Sequence, residues 1–393
     1  VPGGQHTGIR RVNLAIKDIR HNLLRFVLTV FGVGLLMAAT IGMLGMYRGI
    51  VYEALIVIDG IGADLWVVEG GKSGPFAESS AVPANLDRRV AGVAGVAATR
   101  RFIQYNQQFD VDGAPLRMSV TGVDYPSDSG SWIPLTAGRH VQSNRYEAIA
   151  DKTLGLAVGD EIRLGRDSYT IVGVSTGQVD MGGDGLLFVT IPDAQVINQL
   201  LPSEAILLNR AAKGKTRMGL GDDSGSVAAV IVETLPGADK EVVRDAIKRW
   251  GDVEVLTQQD QETLLLDGRL GKLRVQILAF TTMTLLICCA VIALTIYTMT
   301  IEKVAQIALL KLIGARDRVI IGMIAQQAGM IGFCGLVLAI AISFTIYPRF
   351  PRTVLITQPD LGVLSLVLMA LSLAASWFAI RRALAVRAQE VLA

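Results

Sequence analysis

The chain has 393 residues, 51% hydrophobic and only 18% charged, with a formal net charge of +2. That balance hides two materials, because long uncharged stretches flank a polar middle that holds most of the acids. The three histidines are scattered and none of the three cysteines lies in the polar middle, so a zinc site or a disulfide-dependent fold is nearly excluded there, and no nucleic-acid partner is expected.

In residues 9–23 the apolar side chains Ile9, Val12, Ile16, Ile19 and Leu23 recur at spacings of three and four, with Arg10, Arg11, Lys17 and Arg20 on the remaining surface. This is the pattern of a basic amphipathic helix lying along a headgroup layer, and it assigns 1–25 to a cytoplasmic surface helix. Four uncharged stretches follow at 26–47, 275–301, 319–348 and 361–380. Each meets the requirement of about 20 residues for crossing a bilayer as a helix. The first is too long for the apolar region of a cleaved signal peptide and is expected to remain as a span over 26–50. Within it Gly32, Gly34, Gly42 and Gly45 would permit close helix packing.

Lysine and arginine retained beside short loops set the topology. They gather before the first span, between the second and third (Lys303, Lys311, Arg316, Arg318), and after the fourth (Arg381, Arg382, Arg387). Both termini are therefore expected in the cytoplasm, with 51–272 and the short loop 349–360 outside and 381–393 a cytoplasmic tail.

Residues 51–272 read as an α+β domain. Strands are expected near 64–68, 116–123, 161–164, 169–174 and 186–191, and helices over 192–201 and 238–250. Segments 227–233, 238–250 and 253–256 read as one βαβ unit, and the run GDEIRLGRDSYTIVGV as part of a separate β-rich insertion. Several motif-like strings are set aside. Gly173-Val174-Ser175-Thr176-Gly177 has the spacing of a nucleophile elbow but no histidine after it, and Gly71-Lys72-Ser73 lacks the upstream glycine of a phosphate loop. Asp180 and Asp184 lack the further oxygen ligands of a calcium loop and are expected in a solvated, flexible segment. Neither a catalytic nor a metal site is expected. Trp66, Phe76, Phe102, Tyr105 and Trp132 read as core more readily than as a ligand surface.

No ionisable residue interrupts any of the four spans, so nothing at mid-membrane depth is equipped for ion coupling. The second span, about 27 residues, would make roughly 40 Å of helix against a hydrocarbon core of about 30 Å. With 258–272 it is expected to form one continuous helix, a stalk leading into 273–301. The loop 302–318 is the most specific local feature. Glu302 and Lys303 open it, apolar residues follow at helical spacing, and Gly314 stands where a C-cap glycine belongs. A short, partly apolar helix there is suited to a groove on a soluble partner.

Gln306-Ile307-Ala308-Leu309-Leu310-Lys311-Leu312-Ile313-Gly314-Ala315 resembles the loop pattern of the MacB/FtsX-like ABC transporter permeases, a group that includes the MacB, LolC/LolE and DevC types. The starting segment Asn13-Leu14-Ala15 through Arg25 and the closing Arg381-Arg382-Ala383 through Val391 are similar to that family's two ends. Gln306 departs from it where a glutamate is common, and Glu302 is the expected substitute. The resemblance implies a four-span membrane protein with a MacB-like periplasmic core domain, in a cell (inner or cytoplasmic) membrane. It would act as a dimer, homomeric or heteromeric, with two copies of a separate ABC ATPase that carries the ATP and Mg; no cofactor would sit on this chain. The ATPase contact is implied at Glu302, Lys303, Gln306, Leu309, Leu310, Lys311, Gly314 and Ala315, and a periplasmic adaptor is a possible partner. The implied function is ATP-driven export or extraction of a lipid-linked, lipoprotein, peptide or drug substrate by mechanotransmission. The family's alternative is an FtsX-like relay that controls a cell-wall hydrolase without transport.

Overall fold

The computed structural model describes residues 23–111, 114–199, 225–313, 317–350 and 352–385. The amphipathic segment with Arg10, Arg11, Lys17 and Arg20 lies outside the described residues, as do Gly314 and Ala315 and the tail beyond Ala385. Two compact units emerge, one from the chain up to Gly49 together with Arg274 onward, the other from Ile50–Leu273.

Helix α1 spans Leu23–Ile61 and overruns both ends of the 26–50 expected. It continues because nothing before Gly62 breaks it. Gly62 takes φ +60 and its N–H bonds to Ile58 O at 3.1 Å, the left-handed stop that glycine allows without steric cost.

The chain then enters β1 (Leu65–Glu69), whose first four residues are buried, as befits a strand covered on both faces. It is followed by β2 (Val82–Pro83), α2 (Leu86–Ala91), β3 (Val96–Val111), β4 (Ala114–Val123), β5 (Leu135–Gly138), β6 (Glu147–Asp151), β7 (Glu161–Leu164), β8 (Asp167–Ser175), β9 (Leu186–Thr190) and α3 (Ile191–Gln199). Beyond lie β10 (Ser226–Val227), β11 (Ala229–Thr234), α4 (Lys240–Lys248), β12 (Val253–Thr257) and α5 (Gln258–Thr263).

One ten-stranded sheet runs β12-β1-β11-β3-β4-β9-β6-β8-β5, with β7 paired to β8. Two expectations change here. The unit β11–α4–β12 is not a contiguous βαβ: β1 lies between its strands, antiparallel to both. Nor is the β-rich region separate, because β3 pairs its first half with β11 and its second half with β4. That strand was hard to see, since Arg100, Arg101, Gln104, Asn106, Gln107, Gln108 and Asp110 interrupt its apolar residues. Its polar side chains find partners instead: Arg100 bonds to Asp128 and Glu233, and Arg101 to Asp124.

One core cluster takes Leu65 and Val67 of β1, Leu86 and Val90 of α2, Ile191, Ala194 and Ile197 of α3, and Val243 and Ile247 of α4. Trp66, between the two β1 residues, points the other way as strand alternation requires, and packs edge-on to Phe76 and Phe102. Trp132 meets Phe188. The 180–184 segment is a built turn and not a solvated loop. Asp180 is 8% exposed and accepts the Asp184 N–H at 2.8 Å, Asn106 also bonds to it, and Arg117 donates to Asp184.

The expected stalk is interrupted. A capping box between Thr257 and Asp260 starts α5, but residues Leu264–Arg269 form a π-helical turn containing Gly268, and α6 (Gly271–Ile301) begins afresh after Leu270. After α6 come α7 (Val304–Leu312), α8 (Asp317–Ile346) and α9 (Gln358–Ala385). Helices α1, α6, α8 and α9 supply four segments long and apolar enough to cross a membrane.

Within the four-helix unit each helix buries one stripe: Val33, Met37 and Ile41 from α1, Cys288, Ile292 and Ile296 from α6, Ile320, Ile324 and Ala328 from α8, Leu364 and Leu368 from α9. Glycine sets the approach of α1. A Cβ on Gly34 would press on Leu338 at 2.8 Å, one on Gly42 would overlap the Tyr347 ring, and one on Gly45 would lie 2.7 Å from Val354. These three lie against the chain's own third apolar helix and the loop that follows it, whereas a Cβ on Gly32 would meet nothing within 4 Å among the described residues. The seam is also bonded: Tyr347 Oη donates to Ala38 O at 2.5 Å, Leu355 N to Gly45 O at 3.0 Å, and Arg48 Nη2 to Asp360 Oδ1 at 2.6 Å.

Two predictions follow from this packing. At Gly49 an added Cβ would collide with the Thr353 carbonyl oxygen, which is backbone and cannot rotate away. Gly49→Ala is therefore expected to lower the melting midpoint of the detergent-solubilised chain, at an overpacking cost of about 1–3 kcal/mol. Gly32→Ala meets no such obstacle and should hold or raise the stability, by up to about 1 kcal/mol from helix propensity, so any loss of function there would reside in assembly. In the α+β unit, Arg139 bonds to both oxygens of Glu147 and, against the opposing effect of burial, holds its carboxyl down from 4.5 to about 2. The Gln142 and Ser143 N–H groups assist. Because the folded value is depressed, the stabilisation is complete above the unfolded value and disappears as pH falls from about 5 toward 2. Glu147→Gln should flatten the pH dependence of unfolding in that window while lowering stability at neutral pH.

Candidate functional site

Helix α7 is the short segment between the second and third spans, and its position follows from the charges at its start. Glu302 and Lys303 end the long apolar run of α6. Their N–H groups bond to Thr298 O at 3.1 Å and Thr300 O at 3.2 Å, and the helix then restarts with Ile307 N bonding to Lys303 O at 2.8 Å. Ile307 and Ala308 are 1% and 2% exposed and join the core of the helical unit. On the opposite side Gln306, Leu309 and Ile313 are exposed, at the three- and four-residue spacing that makes a single helix face. The face thus presents an apolar patch with one neutral amide, held in place by a buried side.

Glu302 is engaged within the chain. Arg25 Nη1 donates to both of its carboxylate oxygens at 2.7 Å, joining the N-terminal end of α1 to the turn before α7. One turn along α1, Thr29 Oγ1 lies 3.5 Å from Thr295 Oγ1. This arrangement was not legible in the sequence, where Arg25 reads as one of several flanking basic residues. Lys303 is partly buried, and that burial holds its ammonium below its ordinary value. Leu310 and Lys311 fall within α7, but their side chains lie outside the described residues, as do Gly314 and Ala315. The structure therefore brings Glu302, Lys303, Gln306 and Leu309 onto one short segment with two orientations: Glu302 faces Arg25, and Gln306 and Leu309 face outward.

Ser175 is fully buried in β8 beside Asp151. Among the described residues no group of three or more histidines, cysteines, aspartates or glutamates could hold a metal. A hollow of about 600 Å³ is lined by Glu53, Phe76, Gln104, Asn106, Arg117 and Asp180, among others, and its mixed charge specifies no ligand.

Comparison with known proteins gives a consistent family. The MacB-like periplasmic core domain matches residues 26–250, more than half the chain, and the FtsX-like permease C-terminal region matches 278–387. An ABC transporter permease of Mycobacterium bovis is 25% identical over 378 residues, covering 95% of this chain and 96% of that one. Another from Mycobacterium tuberculosis is 22% identical over 373 residues, with the same coverage of 95% and 96%. Among solved structures, the periplasmic region of MacB from Actinobacillus actinomycetemcomitans aligns at 10% identity and a TM-score of 0.35, covering 51% of this chain and 92% of that one. The extracellular domain of the ABC-type transporter YknZ from Gram-positive bacteria aligns at 11% and 0.30, covering 50% and 100%. Both scores are low, and the assignment rests on the sequence matches. With four apolar helices, an α+β domain inserted between the first and second, and family matches to both parts, the chain belongs to the MacB/FtsX-like ABC transporter permeases.

Proposed function

We infer that this permease is driven by an ABC ATPase on a separate chain, which docks on the outward face of α7. The observation that carries this reading is the two-sidedness of that helix: Ile307 and Ala308 anchor it in the permease, while Gln306, Leu309 and Ile313 are left for a partner. An apolar face of this kind suits helix-in-groove recognition, in which a few anchors supply most of the affinity. The neutral Gln306 removes a charge from the contact, so the docking relies on Leu309 and Ile313 more than on an ion pair.

In this reading both termini and α7 are cytoplasmic, the α+β domain is outside the inner membrane, and two permease protomers work with two ATPase copies. ATP and Mg belong to the ATPase. The spans contain no ionisable group for ion coupling, which supports a mechanism in which ATPase closure moves the permease and the outer domain displaces a substrate taken from the outer leaflet or periplasm. Lipid-linked molecules, lipoproteins, peptides and drugs all suit such a device, with or without an adaptor protein outside.

The test is a mild-detergent pull-down of the tagged chain from its native membranes, with mass spectrometry and an ATPase assay on what is recovered. A soluble ABC ATPase should accompany the wild-type chain, and Leu309→Glu should reduce its recovery at least about tenfold, the loss expected when a buried interface anchor becomes a charge. Absence of any ATPase under conditions that keep the permease assembled would overturn the reading. Recovery of an ATPase together with a cell-wall hydrolase, and no cargo, would assign the chain to the relay role.

A further inference from the structure

We propose that the Arg25–Glu302 pair is a latch that makes the first helix, and not the second, the strut through which movement of the α7 segment reaches the outer domain. The proposal rests on the reading that an ATPase acts at α7. Three observations carry it. The latch joins the turn that opens α7 to the inner end of α1, with Arg25 Nη1 at 2.7 Å from each Glu302 oxygen and the Thr29–Thr295 contact one turn beyond. Helix α1 then runs without interruption from Leu23 to Ile61, and only residues 62–64 separate it from β1. The second helix is covalently closer to α7, but its outer end is interrupted by the π-helical turn Leu264–Arg269, by Gly268, and by the restart at Gly271. An unbroken α-helix transmits an axial displacement, whereas a π turn flanked by glycine can absorb one by changing its own winding. A displacement of α7 would reach the outer domain attenuated along α6 unless α1 were coupled to the same turn. Arg25 and Glu302 supply that coupling and act as positioning residues, with no contact to nucleotide or substrate required.

The experiment uses the full chain co-purified with its ATPase in lipid nanodiscs. Arg25→Glu, Glu302→Arg, the exchanged double variant, and the conservative Arg25→Lys are compared by three readouts: ATPase recovery, KM for ATP, and the change in limited proteolysis of the outer domain between nucleotide-free and ATP–vanadate states. Arg25→Glu should leave ATPase recovery and KM for ATP unchanged, and each single charge reversal should reduce the nucleotide-dependent change in cleavage rate about three- to fivefold, the scale of a partly exposed ion pair. The exchanged pair should restore at least half of it, and Arg25→Lys most of it. A change in cleavage that survives both reversals intact, or a double variant no better than the worse single one, would overturn the latch. Lost ATPase recovery in the Glu302 variant alone would instead place Glu302 in the ATPase contact and also overturn it. A wild-type chain that brings down no ATPase would defeat the parent reading, an outcome separate from these.

Discussion

Everything in this molecule is arranged around the cost of placing charge in hydrocarbon. A bilayer core offers no water to a carboxylate or guanidinium, so charged side chains are driven to the ends of the spanning helices and backbone groups must pair within each helix. Four apolar stretches without an Asp, Glu, Lys, Arg or His are one result. The other is that the strongest polar contacts of α1 lie toward its two ends within the helical unit, Arg25 to Glu302 at one and Arg48 to Asp360 at the other. Between them the helices are held by shape: stripes of Val, Ile and Met, and glycines that admit Tyr347 and the 353–355 backbone. Association between spans gains little from hydrophobicity when the surrounding lipid is equally apolar, and close packing with a few end contacts then sets the register.

The α+β domain obeys the opposite rule, and the two materials differ in how they hold together. Water surrounds it, so burial of Val, Ile and Leu from β1, β4, β9 and β11 supplies the drive, and charges are used freely at its edges. Arg100, 13% exposed at its side chain, pairs its two terminal nitrogens with Asp128 and Glu233, which neutralises its charge and lets a polar strand run through the middle of the sheet. The same kind of ion pair would be prohibitive at mid-membrane. A single chain thus alternates between a solvent that punishes charge and one that accepts it, and its sequence changes composition at each crossing.

This alternation decides what could be read in advance. The spans were legible because a run without charge has one physical explanation, and α7 was legible because its helical spacing is bounded by Glu302 and Lys303. The short β strands bounded by Gly and Asp were visible as well, and the hairpin of β7 and β8 lies where its turn residues indicated. Strand β3 was not, since the partners of its arginines, Asp124, Asp128 and Glu233, are distant in sequence and no local pattern announces the pairing. Topology was equally hidden: nothing local in residues 65–69 announces that the strand will be inserted between β11 and β12. At the candidate site the outward face was foreseeable from spacing, but the pairing of residues 25 and 302 depends on a register between two spans far apart in sequence, which no local pattern announces.

The placement of β1 has a further mechanical meaning. Because the strand entered directly from α1 is flanked by hydrogen-bonded neighbours on both sides, it cannot be peeled from an edge one bond at a time. A load arriving at Leu65 must shear two ladders together, at Leu65 to Val67 against β11 and along the whole strand against β12. The domain therefore yields as a plate and not as a fraying ribbon. A strand held on both sides in this way lets the domain keep its fold when force reaches it through α1.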